Sequence, residues 1–127
     1  MRIVISNSAG VPIYEQIKEQ LRAAILGGEI AEGEMLPSIR QLAKDLKISV
    51  ITTTRAYADL EQEGFVANVQ GKGCYVLPKN TEMVREQLLR DIENSFLSAI
   101  NTAKVARIGR NELESIFETM LKEENYE

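Results

Sequence analysis

The sequence predicts a mainly α fold with a small β-hairpin, and three observations support this prediction. Apolar residues recur at helical spacing in three successive segments before residue 64. Only three residues separate the second segment from the third, and a glycine-rich turn between two β-prone runs comes next. We therefore expect a winged helix-turn-helix domain over residues 1–78, with its core at 11–78, followed by two C-terminal helices in a tail over 79–127.

Pro12 is expected in the first turn of the first helix, because a proline loses no hydrogen bond there. Ile13, Ile17 and Leu21 then recur on one face. The two glycines at 27–28 end the helix, and the segment "EIAEGEMLP" after them has the composition of a loop.

Two serines mark the starts of the next two helices. Ser38 is placed to cap the second helix, and Gln41 follows three residues later, where its side chain would return the contact. Ser49 is placed to cap the third helix, which is predicted to run to about Glu63 and to stop at Gly64.

The pattern changes after the third helix. The runs "FVANV" and "CYVL" are β-prone and are separated by "QGKG", which predicts a hairpin with a glycine-rich tip. A helical pattern returns at Asn80 and is broken by Gly109. Asn111, with Glu114 three residues later, is predicted to cap the last helix.

The composition argues against an enzyme. The 127 residues include no histidine and one cysteine, Cys74, so the commonest general base, a cysteine–histidine pair and the usual zinc ligands are missing. We expect no cofactor and no metal, and we expect Cys74 to be a packed side chain rather than a redox sensor. No apolar run is long enough to cross a bilayer and no signal peptide is evident, which favours a cytoplasmic protein.

A threonine-rich stretch, "ISVITTTR" at residues 48–55, begins the third helix. In a helix-turn-helix, the N-terminal residues of this helix meet the bases in the major groove. Helical spacing places Thr53 toward the core, where its hydroxyl would bond back into its own helix. Thr52 and Arg55 lie on the opposite face and Thr54 on the flank, where they would contact phosphates or base edges. The alternative is that these threonines only cover a solvated helix start, but the turn and the wing around them favour DNA contact.

Four segments, in order, resemble the winged helix-turn-helix domain of the GntR family of bacterial transcription regulators. They are "PIYEQIKEQLRAAILGGEI", "GEMLPSIRQLAKDLKIS", "TTTRAYADLEQEGFV" and "QGKGCYV". The short helical remainder is similar to the YtrA-like subfamily, in which such a tail mediates dimerisation and which often accompanies transporter genes. The apolar stripe at 84–103 can pack on its own domain, but it is wide and would be a liability if exposed, so we expect a two-fold dimer built by helices 80–105 and 111–123. We therefore expect a homodimeric repressor of a palindromic DNA operator, whose two copies of the third helix lie about 34 Å apart or a multiple of that distance.

The resemblance and the helical geometry together predict two sets of site residues. Arg40 matches the family arginine that contacts DNA from the second helix, and Gln70 and Gly71 match the wing tip. The predicted DNA-binding residues are Ser38, Arg40, Ser49, Val50, Thr52, Thr54, Arg55, Gln70, Gly71, Lys72 and Gly73. The predicted dimerisation residues are Val84, Leu88, Ile92, Phe96, Ile100, Leu113, Ile116, Phe117 and Met120.

Three positions depart from the family pattern, and one of them, Glu32 in place of a loop proline, is expected to matter little. Val50 stands where many members carry an arginine that reads a guanine, which removes a contact of about 1–3 kcal/mol. Val50 or Ile51 would touch a thymine methyl instead. Lys47 occupies a turn position that is usually glycine, and a left-handed backbone there would cost about 1–2 kcal/mol.

Other function classes stay open at this point. A winged helix can bind another protein instead of DNA, and then Arg40→Ala with Thr52→Ala would leave the function intact. The chain can also be a sensor whose DNA binding is weak without its ligand. A small-molecule inducer would bind either at the dimer interface or between the tail and the DNA-binding domain, and the sequence shows no pocket for it.

Overall fold

The computed structural model describes residues 2–8 and 10–127, and within them the chain is mainly helical. The elements of the described residues are α1 (Ile13–Leu26), α2 (Ile39–Leu46), α3 (Val50–Gln62), β1 (Val66–Val69), β2 (Gly73–Val76), α4 (Glu82–Val105) and α5 (Arg110–Glu123). This order confirms the predicted fold class. The chain forms two compact units, of which the first ends at Gln87 and the second covers Leu88–Glu127. None of the helices described is both long enough and apolar enough to span a membrane.

The core of the first unit lies between α1 and α3. Ile17 and Leu21 of α1 and Leu60 of α3 are completely buried, and Phe65, between α3 and β1, is 1% exposed. Each such side chain contributes about 1.5–3 kcal/mol when it leaves water. The buried apolar stripes that the sequence predicted therefore hold α3 in place against α1.

An extended segment ahead of α1 is fastened to that helix by two glutamine side chains. Val4 N–H donates to Gln20 Oε1 at 2.9 Å, and Gln20 Nε2 donates back to the Val4 carbonyl at 2.7 Å. Gln16 makes the same pair of bonds with Ser6, both at 2.8 Å. The spacings match because four helical residues rise about 6 Å and two extended residues about 6.6 Å. No sequence pattern marks this contact.

The predicted cap of α2 is confirmed on one side only. The Ser38 hydroxyl accepts a hydrogen bond from the Gln41 N–H at 3.1 Å. The return contact from the Gln41 side chain was wrong, because its amide donates instead to Asp45 Oδ1 at 2.7 Å, one turn further along the helix. Pro12, expected in the first turn of the first helix, is the cap residue directly before α1.

The turn between α2 and α3 contains Lys47, for which the sequence raised the question of a left-handed backbone. Lys47 has φ 56° and ψ 48° and ends α2. Ser49 then caps α3, as predicted, by accepting a hydrogen bond from the Thr52 N–H at 3.0 Å. The strained lysine and the capping serine fix the angle at which α3 leaves the turn.

The wing is the antiparallel hairpin of β1 and β2, in which Val66 pairs with Val76 and Val69 with Gly73. The segment before α2, predicted as a loop, adds a partial third strand. Leu36 N–H donates to the Cys74 carbonyl at 2.8 Å, and Val76 N–H donates to the Glu34 carbonyl at 2.9 Å. The sequence "EIAEGEMLP" has no alternating apolar pattern to reveal this pairing.

Two predictions about the tail were wrong in detail. Val84, predicted as an interface residue, is completely buried near the start of α4 and offers no surface to a partner. The predicted cap of the last helix fails because α5 already begins at Arg110, which places Asn111 inside the helix. Glu114 accepts a hydrogen bond from Arg110 Nε at 2.7 Å instead of capping the helix.

Candidate nucleic-acid interface

The first turn of α3 exposes apolar side chains that the fold does not use. Val50 is 48% exposed and Ile51 is 82% exposed. A branched apolar side chain beside hydroxyl and arginine side chains is suited to meet a thymine methyl in the major groove. The start of α3 therefore presents both apolar and polar groups to a partner.

The three threonines of α3 differ in what their hydroxyls can do. Thr53 is completely buried and its hydroxyl donates to the Ser49 carbonyl at 3.2 Å, as predicted. The Thr54 hydroxyl donates to the Val50 carbonyl at 2.8 Å, so its oxygen is left to accept outward. The Thr52 oxygen accepts from the Ser49 hydroxyl at 2.8 Å, so its own proton is left to donate outward. Thr52 thus suits a phosphate oxygen or base acceptor, whereas Thr54 suits a base amino group.

A groove of about 420 Å³ lies between the start of α2, α3 and the wing. Five of the eleven predicted DNA-binding residues line it together: Ser38, Arg40, Thr54, Lys72 and Gly73. The other predicted residues lie on the exposed start of α3 or at the wing tip: Ser49, Val50, Thr52, Arg55, Gln70 and Gly71. Arg40 and Lys72 place two positive charges in this groove against the one negative charge of Glu61, and this balance suits it to a strand of phosphates.

The position of the wing is held by a residue that sequence reasoning missed. Glu61 Oε2 in α3 accepts a hydrogen bond from the Asn68 N–H of β1 at 2.8 Å. Gly71 adopts φ 77° in the tip, where a side chain would be strained. No sequence signal marks Glu61, because an exposed acid near a helix end is ordinarily solvated. Its carboxylate therefore ties the wing to the helix that carries the threonines.

Cys74 lines the floor of the same groove and is 8% exposed. Burial, with the nearby charge of Glu61, raises the pKa of the Cys74 thiol to about 11. The thiol is therefore protonated at neutral pH and unreactive, in keeping with a packing role. Across residues 2–8 and 10–127, no cluster of acidic, cysteine or histidine side chains is arranged to hold a metal ion.

The Arg55 guanidinium lies over an aromatic ring of another helix. Its guanidinium carbon is 3.7 Å from the centre of the Tyr14 ring, in the first turn of α1. Helical spacing predicted that Arg55 lies on the exposed face of α3, and its side chain is exposed there. The structure adds a stacking partner that the sequence pattern did not indicate.

The second unit leaves much of its apolar surface in contact with solvent. The Phe96 and Phe117 rings meet edge to face, with their centres 5.7 Å apart. Both remain about half exposed, at 50% and 45%. An apolar cleft of about 250 Å³ opens beside them. The predicted dimerisation residues that are also exposed are Ile92, Ile100, Ile116 and Met120, whereas Leu88 and Leu113 are half-buried.

Comparison with known proteins matches this fold to one family. The model of "Bacterial regulatory proteins, gntR family" matches residues 13–76, which contain α1 to α3, both strands and every predicted DNA-binding residue. The transcriptional repressor YtrA of Bacillus subtilis is 31% identical over 81% of this chain and 85% of its own length. The structure of YtrA from Sulfolobus acidocaldarius, a GntR-family transcription factor, has a TM-score of 0.61 and 36% identity, over 76% of this chain and 97% of that one. The DNA-binding domain of AraR in complex with operator ORX1 has a TM-score of 0.54 and 26% identity, over 60% of this chain and 95% of that one.

Proposed function

Since this chain belongs to the GntR family of bacterial regulatory proteins, we propose that it is a transcription repressor that binds operator DNA as a homodimer. The relative of matching length is a repressor, and a protein of similar fold is described in complex with an operator. The proposed role places the protein with chromosomal DNA in the cytoplasm. On the resemblance to YtrA-like regulators, we include transporter genes among its targets.

In the proposed complex, the first turn of α3 enters the major groove. Val50 and Ile51 meet base methyl groups, while Thr52 donates to a phosphate or base acceptor. Arg40 and Lys72 hold the phosphates that pass through the groove between α3 and the wing. The single observation that carries this proposal is the exposed start of α3, flanked by two cations in one groove.

The tail is proposed to join two copies of the chain, so that a second α3 can contact the operator. A second copy of the chain is the proposed partner for the exposed apolar faces of α4 and α5, because a two-fold contact lets the same surface serve both copies. Burying these faces removes an apolar surface that would otherwise promote aggregation. A dimer also presents two α3 helices to a palindromic operator, as two-fold recognition of DNA requires.

The proposal is tested by binding to a duplex from the promoter upstream of the protein's own gene, against a scrambled duplex, at several salt concentrations. We expect specific binding that weakens with salt, because phosphate contacts release counterions. Arg40→Ala should reduce the salt slope of the dimer by about two, because each of the two copies loses one phosphate contact. Arg110→Ala removes an equal charge from an exposed position in α5 and should leave the slope unchanged. Equal affinity for both duplexes would overturn the proposal and favour a protein partner.

A further inference from the structure

The contact between Arg55 and Tyr14 joins α3, the helix proposed to enter the major groove, to α1. The helix α1 lies outside the helix-turn-helix pair formed by α2 and α3. The guanidinium carbon sits 3.7 Å from the ring centre, well inside the range of about 6 Å for a cation–π contact. A second pair, Arg22 over Phe65, is looser at 5.5 Å. The Arg55 side chain is therefore held by a close and directional contact.

Stacking leaves the donors of Arg55 available. A guanidinium is planar and its N–H groups point outward from its rim, so a ring beneath one face does not occupy them. Among the described residues Arg55 forms no salt bridge, so its charge is not neutralised within the chain. The rim has the fork geometry that matches two oxygens of a phosphate.

The stack also orders the side chain before any partner arrives. A free arginine loses rotamer freedom when it binds, and this loss weakens binding. An arginine laid on a ring has lost that freedom when the protein folds. Because the ring belongs to α1, the guanidinium is held to one side of the reading helix, where a backbone phosphate is a better match than the base edges ahead of α3.

We propose that Tyr14 is a positioning residue for DNA binding, which holds Arg55 as a preorganised clamp for one operator phosphate. This inference rests on the proposed function, since it assumes that α3 faces DNA. The inference gives α1 a specific role in DNA binding. Its Tyr14 ring contacts Arg55 and affects DNA binding only by positioning that arginine.

The test uses an operator duplex selected from random DNA by the wild-type chain and measures affinity by fluorescence anisotropy at two salt concentrations. We expect Tyr14→Ala to weaken binding roughly three- to tenfold and Tyr14→Phe to change it less than about twofold, because phenylalanine keeps the ring. In an Arg55→Ala background, Tyr14→Ala should have no further effect. In an Arg40→Ala background it should keep its full effect, because Arg40 does not touch the ring.

Folding is checked separately in the free protein. The NMR signal of the Arg55 Nε–H should be shifted by the ring current in the wild type and in Tyr14→Phe, and not in Tyr14→Leu. The leucine variant fills similar space without a ring, and it replaces the alanine variant if that variant unfolds.

Three results would overturn the inference. One is additive losses in Tyr14→Ala and Arg55→Ala, which would mean that the two act independently. The second is a Tyr14→Phe variant as weak as Tyr14→Ala, which would mean that the hydroxyl itself contacts DNA. The third is a loss in Arg55→Ala with none in Tyr14→Ala or Tyr14→Leu, which would leave the proposed function standing. If the wild type selects no sequence at all, the proposed function fails and the inference fails with it.

Discussion

The Tyr57 hydroxyl of α3 donates a hydrogen bond of 2.7 Å to the Pro37 carbonyl, one residue before the cap of α2. The Tyr57 side chain is buried, and burial raises the pKa of its hydroxyl, so the group stays a neutral donor at physiological pH. This bond sets the distance between α3 and the start of α2, which carries Arg40. The hydroxyl thus adds a direct hydrogen bond to the packing between the two helices that are proposed to contact DNA.

Removing this bond should destabilise the domain. We expect Tyr57→Phe to lower the free energy of unfolding by about 1–2 kcal/mol, because the Pro37 carbonyl loses its partner in a partly buried place. Urea unfolding measures the change. Tyr126→Phe, at a tyrosine that is 75% exposed, is the matched control and should have no effect. Equal stabilities of the two variants would show that the bond contributes nothing.

Replacing the left-handed lysine should stabilise the turn. Lys47→Gly removes a strain of about 1–2 kcal/mol, and the greater freedom of glycine in the unfolded chain offsets part of it. We expect a net gain of about 0.5–1 kcal/mol in the same urea assay. Lys44→Gly, at an exposed helical lysine of α2, should instead destabilise by about 0.5–1 kcal/mol. A lower free energy of unfolding in Lys47→Gly would show that the left-handed lysine is not strained.

Restoring an arginine at the start of α3 should change which DNA is selected. Val50 is exposed in the first turn of α3, and an arginine there would reach a guanine edge. We expect selection from random duplexes by Val50→Arg to enrich a guanine at one position in each half-site, with a discrimination of about 1–3 kcal/mol. Gln62→Arg adds the same charge at the far end of α3 and should select the wild-type sequence. An unchanged preference in Val50→Arg would place Val50 away from the bases.

A charge in the apolar stripe of α5 should separate the dimer. Ile116 is 42% exposed in the single chain, and glutamate there would have to be desolvated in the proposed interface. We expect Ile116→Glu to sediment as a monomer and to bind the operator more weakly. Ser115→Glu, on the opposite face of α5 by helical geometry, should remain a dimer. Two variants that both stay dimeric would exclude this face as the interface.

The thiol of Cys74 should react slowly with Ellman's reagent in the native protein. Its pKa rises from 9.0 to about 11, so the thiolate fraction near neutral pH falls about a hundredfold. The raised pKa also means that the thiol stabilises the fold fully below about pH 9, and that this contribution is lost as the pH rises through about 11. The same chain unfolded in urea is the control. Equal rates in both states would contradict the burial of the thiol.

The features that the sequence predicted correctly depend on short-range geometry. Ser38 and Ser49 cap their helices because their partners lie three residues away in the chain. Thr53 is buried with its hydroxyl bonded four residues back, as the helical period requires. The resemblance to a family then placed these local features in one fold.

The features that the sequence did not predict depend on which of two partners a side chain binds, or on partners that are distant in the chain. Gln41 has an acid available one turn ahead, and its side chain bonds that acid instead of returning the cap. Val84 belongs to the apolar stripe of the tail, yet its place near the start of α4 buries it in the first unit. Glu61 and Tyr14 gain their roles from partners 7 and 41 residues away in the chain, which no local pattern encodes.

Two copies of this chain are proposed to present the first turn of α3 to successive major grooves of one duplex. The most direct measurement is selection from random duplexes by the wild-type chain, followed by the stoichiometry of the selected complex. We expect an inverted repeat bound by two chains, with half-site centres about 34 Å apart or a multiple of that distance. Failure to enrich any sequence, or a non-repeated site bound by a single chain, would contradict this proposal.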